Sequence, residues 1–210
     1  MDSIVKATHI KTIVVATQNE KKRREMLEIL KDVPGILLKG VGDFPFLPEV
    51  EEDGNSFREN AIKKASILAN VCNTWAIADD SGLEIDILNG RPGVYSSRYA
   101  GLNASDEKNI EKVLSELRGV PREVRTARFI CSIALASPHN LFFVVEGSCE
   151  GLITEKPMGT GGFGYDPIFL VPDYNQTFAE LDSSFKNRSS HRGKALNLFK
   201  ERIIPLVQRF

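Results

Sequence analysis

Seven residues, Ala76-Ile77-Ala78-Asp79-Asp80-Ser81-Gly82, run from an apolar lead-in straight into two neighbouring carboxylates. With Trp75 in front, they read as a buried β-strand that ends on Asp79 and Asp80 as the chain leaves the core. Adjacent carboxylates repel, and burying either is costly without a partner. A cation is therefore expected beside them. Carboxylate oxygens suit Mg2+, which is usually held by one or two carboxylates plus the phosphates of a substrate. A strand end in an α/β sheet is also the usual place for a ligand crevice. Taken alone, the pair fits equally a turn in which Asp79 or Asp80 caps local N–H groups.

Four other stretches carry residue types suited to chemistry. Thr17, Gln18, Asn19, Glu20, Lys21, Lys22, Arg23 and Arg24 place four cations at the start of a helix for which Asn19 is an N-cap. The helix macrodipole disfavours positive charge at that end, whereas a bound phosphate would reverse the sign. The same run also reads as a solvated charged face. Glu49, Glu51, Glu52 and Asp53 form an acidic loop before a capping box, Ser56 to Glu59. In the helix that follows, Phe57, Ala61, Ala65, Leu68 and Cys72 share one stripe, with Lys64 at its edge. That lysine either snorkels to water or reaches a partly buried anion.

Gly159 to Pro167 contains a literal G-x-G-x-x-G at Gly159, Gly161 and Gly164. No helix is expected after it, so a dinucleotide fingerprint is rejected. The loop reads as a flexible surface segment, or as close backbone approach to a flat ligand on which Phe163 or Tyr165 stacks. Lys186 to Lys194 reads as a basic surface loop. In it, Ser189 or Ser190 caps the last helix and sets His191 and Arg192 in its first turn.

These groups need positioning elements. Residues 12–17 form a β-branched strand leading into the first helix, and residues 36–41 a second strand. A helix follows to about Cys72, then strands over 75–79 and 83–88. Residues 105–119 read as a helix, and 126–137 with 141–147 as an antiparallel hairpin. Residues 151–154 pair beside them, 167–171 form a strand, and 193–208 a closing helix disturbed at Pro205. Helices alternating with strands, then a hairpin, predict an α/β fold with a mixed sheet in two lobes and a cleft between them.

Composition narrows the field. The 210 residues are 42% hydrophobic with a net charge of −1, which gives no reason to expect nucleic-acid or membrane partners. Arg118, Arg122, Arg125 and Arg128 lack the interleaved aromatics of an RNA surface. No apolar run approaches a membrane span. The three cysteines form neither a CxxC pair nor a zinc spacing, and read as buried thiols in a reducing, cytoplasmic compartment. Residues 1–11 read as a loose leader.

Six segments in order, VVATQNEKKRREM, EEDGNSFRENAIKKA, AIADDSGLEID, PGVYSSRYAG, GTGGFGYDPIF and SHRGKAL, resemble the inosine triphosphate pyrophosphatase family, the RdgB-like non-standard purine nucleotide pyrophosphatases. The resemblance runs from about Thr12 to Leu206, with Gln18 in place of a frequent glycine. It implies a Mg2+-dependent homodimeric enzyme that hydrolyses ITP, dITP and XTP to the monophosphate and pyrophosphate. The fold it implies is an elongated mixed sheet flanked by helices, in two lobes around a central active-site cleft.

By motif, Thr17, Asn19 and Lys22 hold the triphosphate, within the stretch that also includes Gln18, Glu20 and Lys21. Lys64 approaches the phosphates. Glu51 or Glu52, with Asp80, positions the metal, and Asp80 is the base on the attacking water. Ser81, Phe163, Gly164, Tyr165, Asp166, Lys186, His191 and Arg192 surround the nucleotide. On this reading both acids of the opening pair serve the metal and its water. A donor from Arg192 or His191 favours the 6-oxygen of hypoxanthine or xanthine over the 6-amine of adenine. The rival reading is a non-catalytic nucleotide-binding sensor.

Overall fold

The computed structural model describes residues 10–44 and 47–209, with only the backbone of Ser183. Among these residues seven strands form one sheet: β1 (Lys11–Val15), β2 (Ile36–Gly40), β3 (Trp75–Ile85), β4 (Thr126–Ala136), β5 (Leu141–Ile153), β6 (Phe169–Val171) and β7 (Gln176–Thr177). Their spatial order is β2-β1-β3-β4-β5-β6-β7. β1 runs parallel to β2 and β3, and every pairing from β3 onward is antiparallel, so the sheet is mixed. Among the described residues, five α-helices flank it: α1 (Glu20–Leu30), α2 (Phe57–Cys72), α3 (Asp106–Glu116), α4 (Ser183–Ser189) and α5 (His191–Val207). The α/β class read from the sequence is the one observed.

Side-chain alternation along the central strands sorts the core into layers. Trp75, Ile77, Ile133 and Leu135 point to one face, where Met26 and Leu30 of α1 and Phe199 and Ile203 of α5 cover them. Ala76, Ala78, Ala134 and Ala136 point to the other face, onto Ala61, Ala65 and Ala69 of α2. Alanine against alanine lets α2 lie close to the sheet. A third cluster fills the far end, where Ile110 and Val113 of α3 meet Leu83, Phe129, Phe169 and Phe178.

Several elements differ from the sequence reading. The strand does not end at Asp79. β3 runs through both acids to Ile85, because Asp79, Asp80, Ser81 and Gly82 pair in register with Ile133, Ser132, Cys131 and Ile130 of β4. The hairpin turn forms as expected, with Ser137 N donating to Asn140 O, but β5 continues to Ile153 and absorbs the extra strand read at 151–154. Part of the stretch read as a basic loop is helical: Asp182 caps α4, and Ser190 ends it and caps α5 through Gly193 N. α5 carries on through Pro205 to Val207, since a proline so near the end forfeits few helical bonds. The leader falls outside the described residues except at its end, where Lys11 already opens β1.

Two of the four arginines, Arg125 and Arg128, have structural contacts, and Arg118 and Arg122 are exposed. Arg125 is buried and donates to the carbonyls of Leu117, Val120 and Thr154, tying the end of α3 to the sheet. Arg128 is paired with Glu84, Asp86 and Glu150.

Gly147 of β5 sets how closely α5 approaches the sheet. A Cβ there would collide with the His191 carbonyl oxygen and lie 2.7 Å from Ala195 N, both backbone atoms of α5. Gly147→Ala should cost about 1–3 kcal/mol of stability in denaturant unfolding and lift the first turn of α5. An unchanged unfolding midpoint would mean the helix docks without this close approach.

Candidate active site

A cleft of about 960 Å3 opens between the N-terminus of α1, the acidic loop before α2, the middle of β3, the glycine loop and the start of α5. A volume of that order accommodates a nucleotide-sized ligand. Thr17, Gln18, Asn19, Lys22, Glu51, Glu52, Lys64, Asp80 and Ser81 line one side. Phe163, Gly164, Tyr165, Asp166, Lys186, His191 and Arg192 line the other.

Because β3 continues through them, Asp79 and Asp80 face opposite sides of the sheet. Asp79 points to α1 and α5, where its Oδ2 lies 3.2 Å from Lys22 Nζ and 3.3 Å from both Nε and Nη2 of Arg192. Burial by itself would raise this carboxyl, but the attraction of Lys22, Arg192 and Lys64 outweighs it and holds Asp79 below the usual carboxylate range. Asp80 points to α2. Its Oδ2 accepts from Asn60 Nδ2 at 2.8 Å, and its Oδ1 accepts from Ser81 N. Burial, and then the negative charge of Glu52, push its carboxyl up to about 6. The two acids therefore have different roles, and the expectation that both serve a metal is corrected: Asp79 is taken up by cations of the protein itself.

At the start of α1, Asn19 caps the helix, its Oδ1 accepting from the N–H groups of Lys21 and Lys22. Thr17 Oγ1 accepts from Asn19 N. With about 100° between successive helical residues, Lys22 and Glu25 face the cleft while Glu20 does not. Glu20 turns to solvent and pairs with Arg23 at 2.8 Å. Lys21 also leaves the cleft lining and donates to Gly162 O of the glycine loop at 3.0 Å. Those two belong to the motif but not to the cavity wall.

Lys64 reaches an anion rather than snorkelling. Its Nζ contacts Glu52 Oε1 at 2.6 Å and the Asp79 carbonyl at 2.5 Å. Burial would lower its pKa, but Asp79, Glu52 and Asp80 outweigh that and raise it, so it is charged. Glu52 is thus drawn toward Asp80, and Glu51 is exposed at the rim. Among the described residues no group of three or more His, Cys, Asp or Glu could hold a metal by itself. Two carboxylates fit a cation that completes its shell with water and phosphate oxygens, which is the habit of Mg2+.

Across the cleft, the glycine loop is built by contacts within the protein. Gly159 and Gly161 press on the backbone of Ala179, and Gly162, at φ +76, leaves no room for a Cβ beside Asp166 and Lys186. Only Gly164 of the three motif glycines is open, so the close approach expected toward a ligand is mostly approach to the protein's own backbone. Asp166 Oδ2 accepts from Phe163 N at 3.1 Å and Lys186 Nζ at 2.7 Å, which sets the Phe163 ring. Lys21 Nζ and the Arg192 guanidinium centre lie 5.6 and 5.7 Å from the centroid of the Phe163 ring. Tyr165 is buried, its hydroxyl donating to Ser96 O, which leaves Phe163 as the ring free to stack. His191 stacks on Phe129 with centroids 4.7 Å apart. Burial, with Arg192 and Lys22 nearby, holds it well below the usual imidazole range, so it is neutral and offers one N–H. Arg192 is 3% exposed and also donates to Glu25 Oε2 and Ser81 Oγ, each at 2.7 Å.

The model of the Ham1 family matches residues 13–202, which span every element of this cleft. The chain belongs to the Ham1 family. Among its relatives, a protein of Geobacter sulfurreducens named dITP/XTP pyrophosphatase is 54% identical over 191 residues, covering 91% of this chain and 96% of that one. One of the same name from Bacillus subtilis is 52% identical, covering 89% and 94%. The solved structure of a HAM1 protein from Coxiella burnetii superposes with a TM-score of 0.86 at 44% identity, covering 93% of this chain and all of that one. The Ham1 protein of Staphylococcus aureus gives 0.84 at 41% identity, covering 93% and 100%.

Two residues that line this Ham1 cleft, Glu25 and Arg98, and one behind Asp80, Asn60, were given no role in the sequence reading. Glu25 lies one helical turn beyond Lys22, a spacing that could have flagged it. Asn60 interrupts the apolar stripe of α2, and a polar residue on a buried face is itself a signal. Arg98, in the short helix Gly93–Arg98, lies within the segment PGVYSSRYAG but was given no role of its own.

Asp80 also predicts a pH effect. Between about pH 4 and 6 the folded state without metal keeps a proton on Asp80 that the unfolded chain has released, so stability falls as pH rises through that window. Asp80→Asn removes this penalty. In metal-free buffer it should be more stable than the parent by roughly 2–3 kcal/mol at pH 7, with no difference near pH 4. Parallel denaturation curves at the two pH values check it, and a constant gap would assign the stabilisation to another cause.

Proposed function

We propose that this chain is a pyrophosphatase acting on non-standard purine nucleoside triphosphates (ITP, dITP and XTP), releasing the monophosphate and pyrophosphate with Mg2+. The observation that carries the reading is the split between the adjacent acids. Asp80 is turned to the cleft beside Glu52, while Asp79 holds Lys22 and Arg192 together on the other face of the strand. The name dITP/XTP pyrophosphatase, borne by relatives about half identical over nearly the whole chain, supports it. A homodimer is the working assembly the resemblance implies.

Glu52 and Asp80 would hold the metal. When bound, Mg2+ polarises the α-phosphate and acidifies the attacking water. Asp80 takes the proton from that water as its oxygen bonds the α-phosphorus. The bond from the α-phosphorus to the bridging oxygen breaks, and the electron pair leaves with pyrophosphate. Lys22, beside Thr17 and the capped start of α1, stabilises the charge gathered there. Phe163 stacks on the base. A donor from Arg192 or His191 would favour the 6-oxygen, and adenine's amine would face that donor unsatisfied, at about 1–3 kcal/mol or roughly 5- to 150-fold.

Purified protein with Mg2+ should release pyrophosphate from ITP and XTP and little from GTP or ATP, with no orthophosphate. Orthophosphate would place the cut at another bond. Asp80→Asn should lose turnover while ITP still binds; a parent-like kcat would remove Asp80 as the base. Lys22→Ala should weaken binding of triphosphate at least tenfold more than of monophosphate, and equal losses would contradict a contact to the outer phosphates.

A further inference from the structure

The acidic loop cannot hold itself in place. Residues 47–56 contain neither helix nor strand, and Glu52 is the carboxylate in them that turns inward toward Asp80. Its side chain is held by Lys64, whose flexible stem fixes a distance but not a backbone path. A second hold comes from across the cleft. Arg98 Nη2 donates to the Glu52 carbonyl oxygen at 2.8 Å, and its Nη1 lies 4.0 Å from Glu52 Oε2. One planar guanidinium thus spans the main chain and the carboxylate of the same residue.

The base of that tether is rigid. Arg98 ends the short helix Gly93–Arg98, whose Ser96 is bound on three sides. Ser96 Oγ accepts from Leu83 N of β3 and donates to Gly93 O, and Ser96 O accepts from the Tyr165 hydroxyl. Asn109 of α3 also donates to Ser97 O. Within the segment, the Tyr95 ring lies 5.1 Å from the Arg98 guanidinium centre. The segment is therefore fixed to β3, to α3 and to the loop that carries Phe163.

We propose that Arg98 is a positioning residue: it clamps the main chain of Glu52 to this rigid segment and so aims the Glu52 carboxylate at the metal that Asp80 shares. The inference rests on the metal reading given above. Arg98 acts through Glu52 and need not touch the nucleotide. Groups that orient a metal's carboxylate characteristically alter affinity by about 10–100-fold when removed.

The test uses the full chain with a non-hydrolysable ITP analogue and Mn2+ as the probe, read by electron paramagnetic resonance. Arg98→Ala should weaken Mn2+ binding at least tenfold and raise the Mg2+ concentration for half-maximal rate in parallel. Both kcat at saturating Mg2+ and analogue affinity in EDTA should stay near the parent values. Arg98→Lys, which keeps one donor, should fall between, and it carries the test if the alanine variant fails to fold. Unchanged Mn2+ binding would overturn the proposal. A loss of analogue affinity in EDTA would overturn it too, because Arg98 would then be a direct phosphate contact. Glu52→Gln separates the two levels: if it leaves Mn2+ binding intact, the metal reading itself fails.

Discussion

A strand turns successive side chains to opposite faces, and the site depends on that alternation. Two neighbouring carboxylates would repel if both were aimed into one pocket. Carried by an uninterrupted β3, they are separated by the sheet itself. Asp79 enters the layer of α1 and α5 and meets Lys22 and Arg192, whereas Asp80 enters the layer of α2 and meets Asn60. The same alternation puts Ser81 back on the Asp79 side, where it accepts from Arg192. One stretch of strand thereby divides its acids between an internal counter-ion and a group free for chemistry.

The buried charge on Asp79 is compensated by side chains from two different helices. Such pairs add little net stability, since desolvation offsets most of the attraction. Their effect here is geometric. Lys22 reaches from α1 and Arg192 from α5, and a shared carboxylate holds both in one place. Glu25 completes the arrangement by binding Arg192 from the α1 side. Gly147 belongs to the same design, because the first turn of α5 reaches Asp79 only by lying almost against β5.

The loops around the cleft owe their shape to the regular elements behind them. The acidic loop hangs from α2 through Asn60, which accepts from Gly54 N while donating to Asp80, and through Lys64. The glycine loop is held to α4 by the Lys186–Asp166 pair, to α3 by Asp106, which accepts from Gly164 N, and to α1 by Lys21. A loop that lacks its own hydrogen-bond ladder takes a defined path only when rigid neighbours supply the partners.

Much was legible from residue order alone. Apolar periodicity located β1, α2 and the β4–β5 hairpin, and capping chemistry located the starts of α1, α2 and α5, because those signals are local. The motif residues that line the cleft were also legible, as a set of types. Partnership was not. That β3 continues past Asp80 depends on pairing with β4, some fifty residues on in the chain. That Glu20 and Lys21 leave the cleft depends on how α1 is rotated against the sheet. Arg98 sits 46 positions from Glu52, a separation across which no spacing rule operates. The sequence by itself determined which chemical groups the protein owns and which short elements carry them. Only the tertiary structure decided which acid keeps a protein counter-ion and which stays available, because that choice is made by groups the fold brings from opposite sides of the sheet.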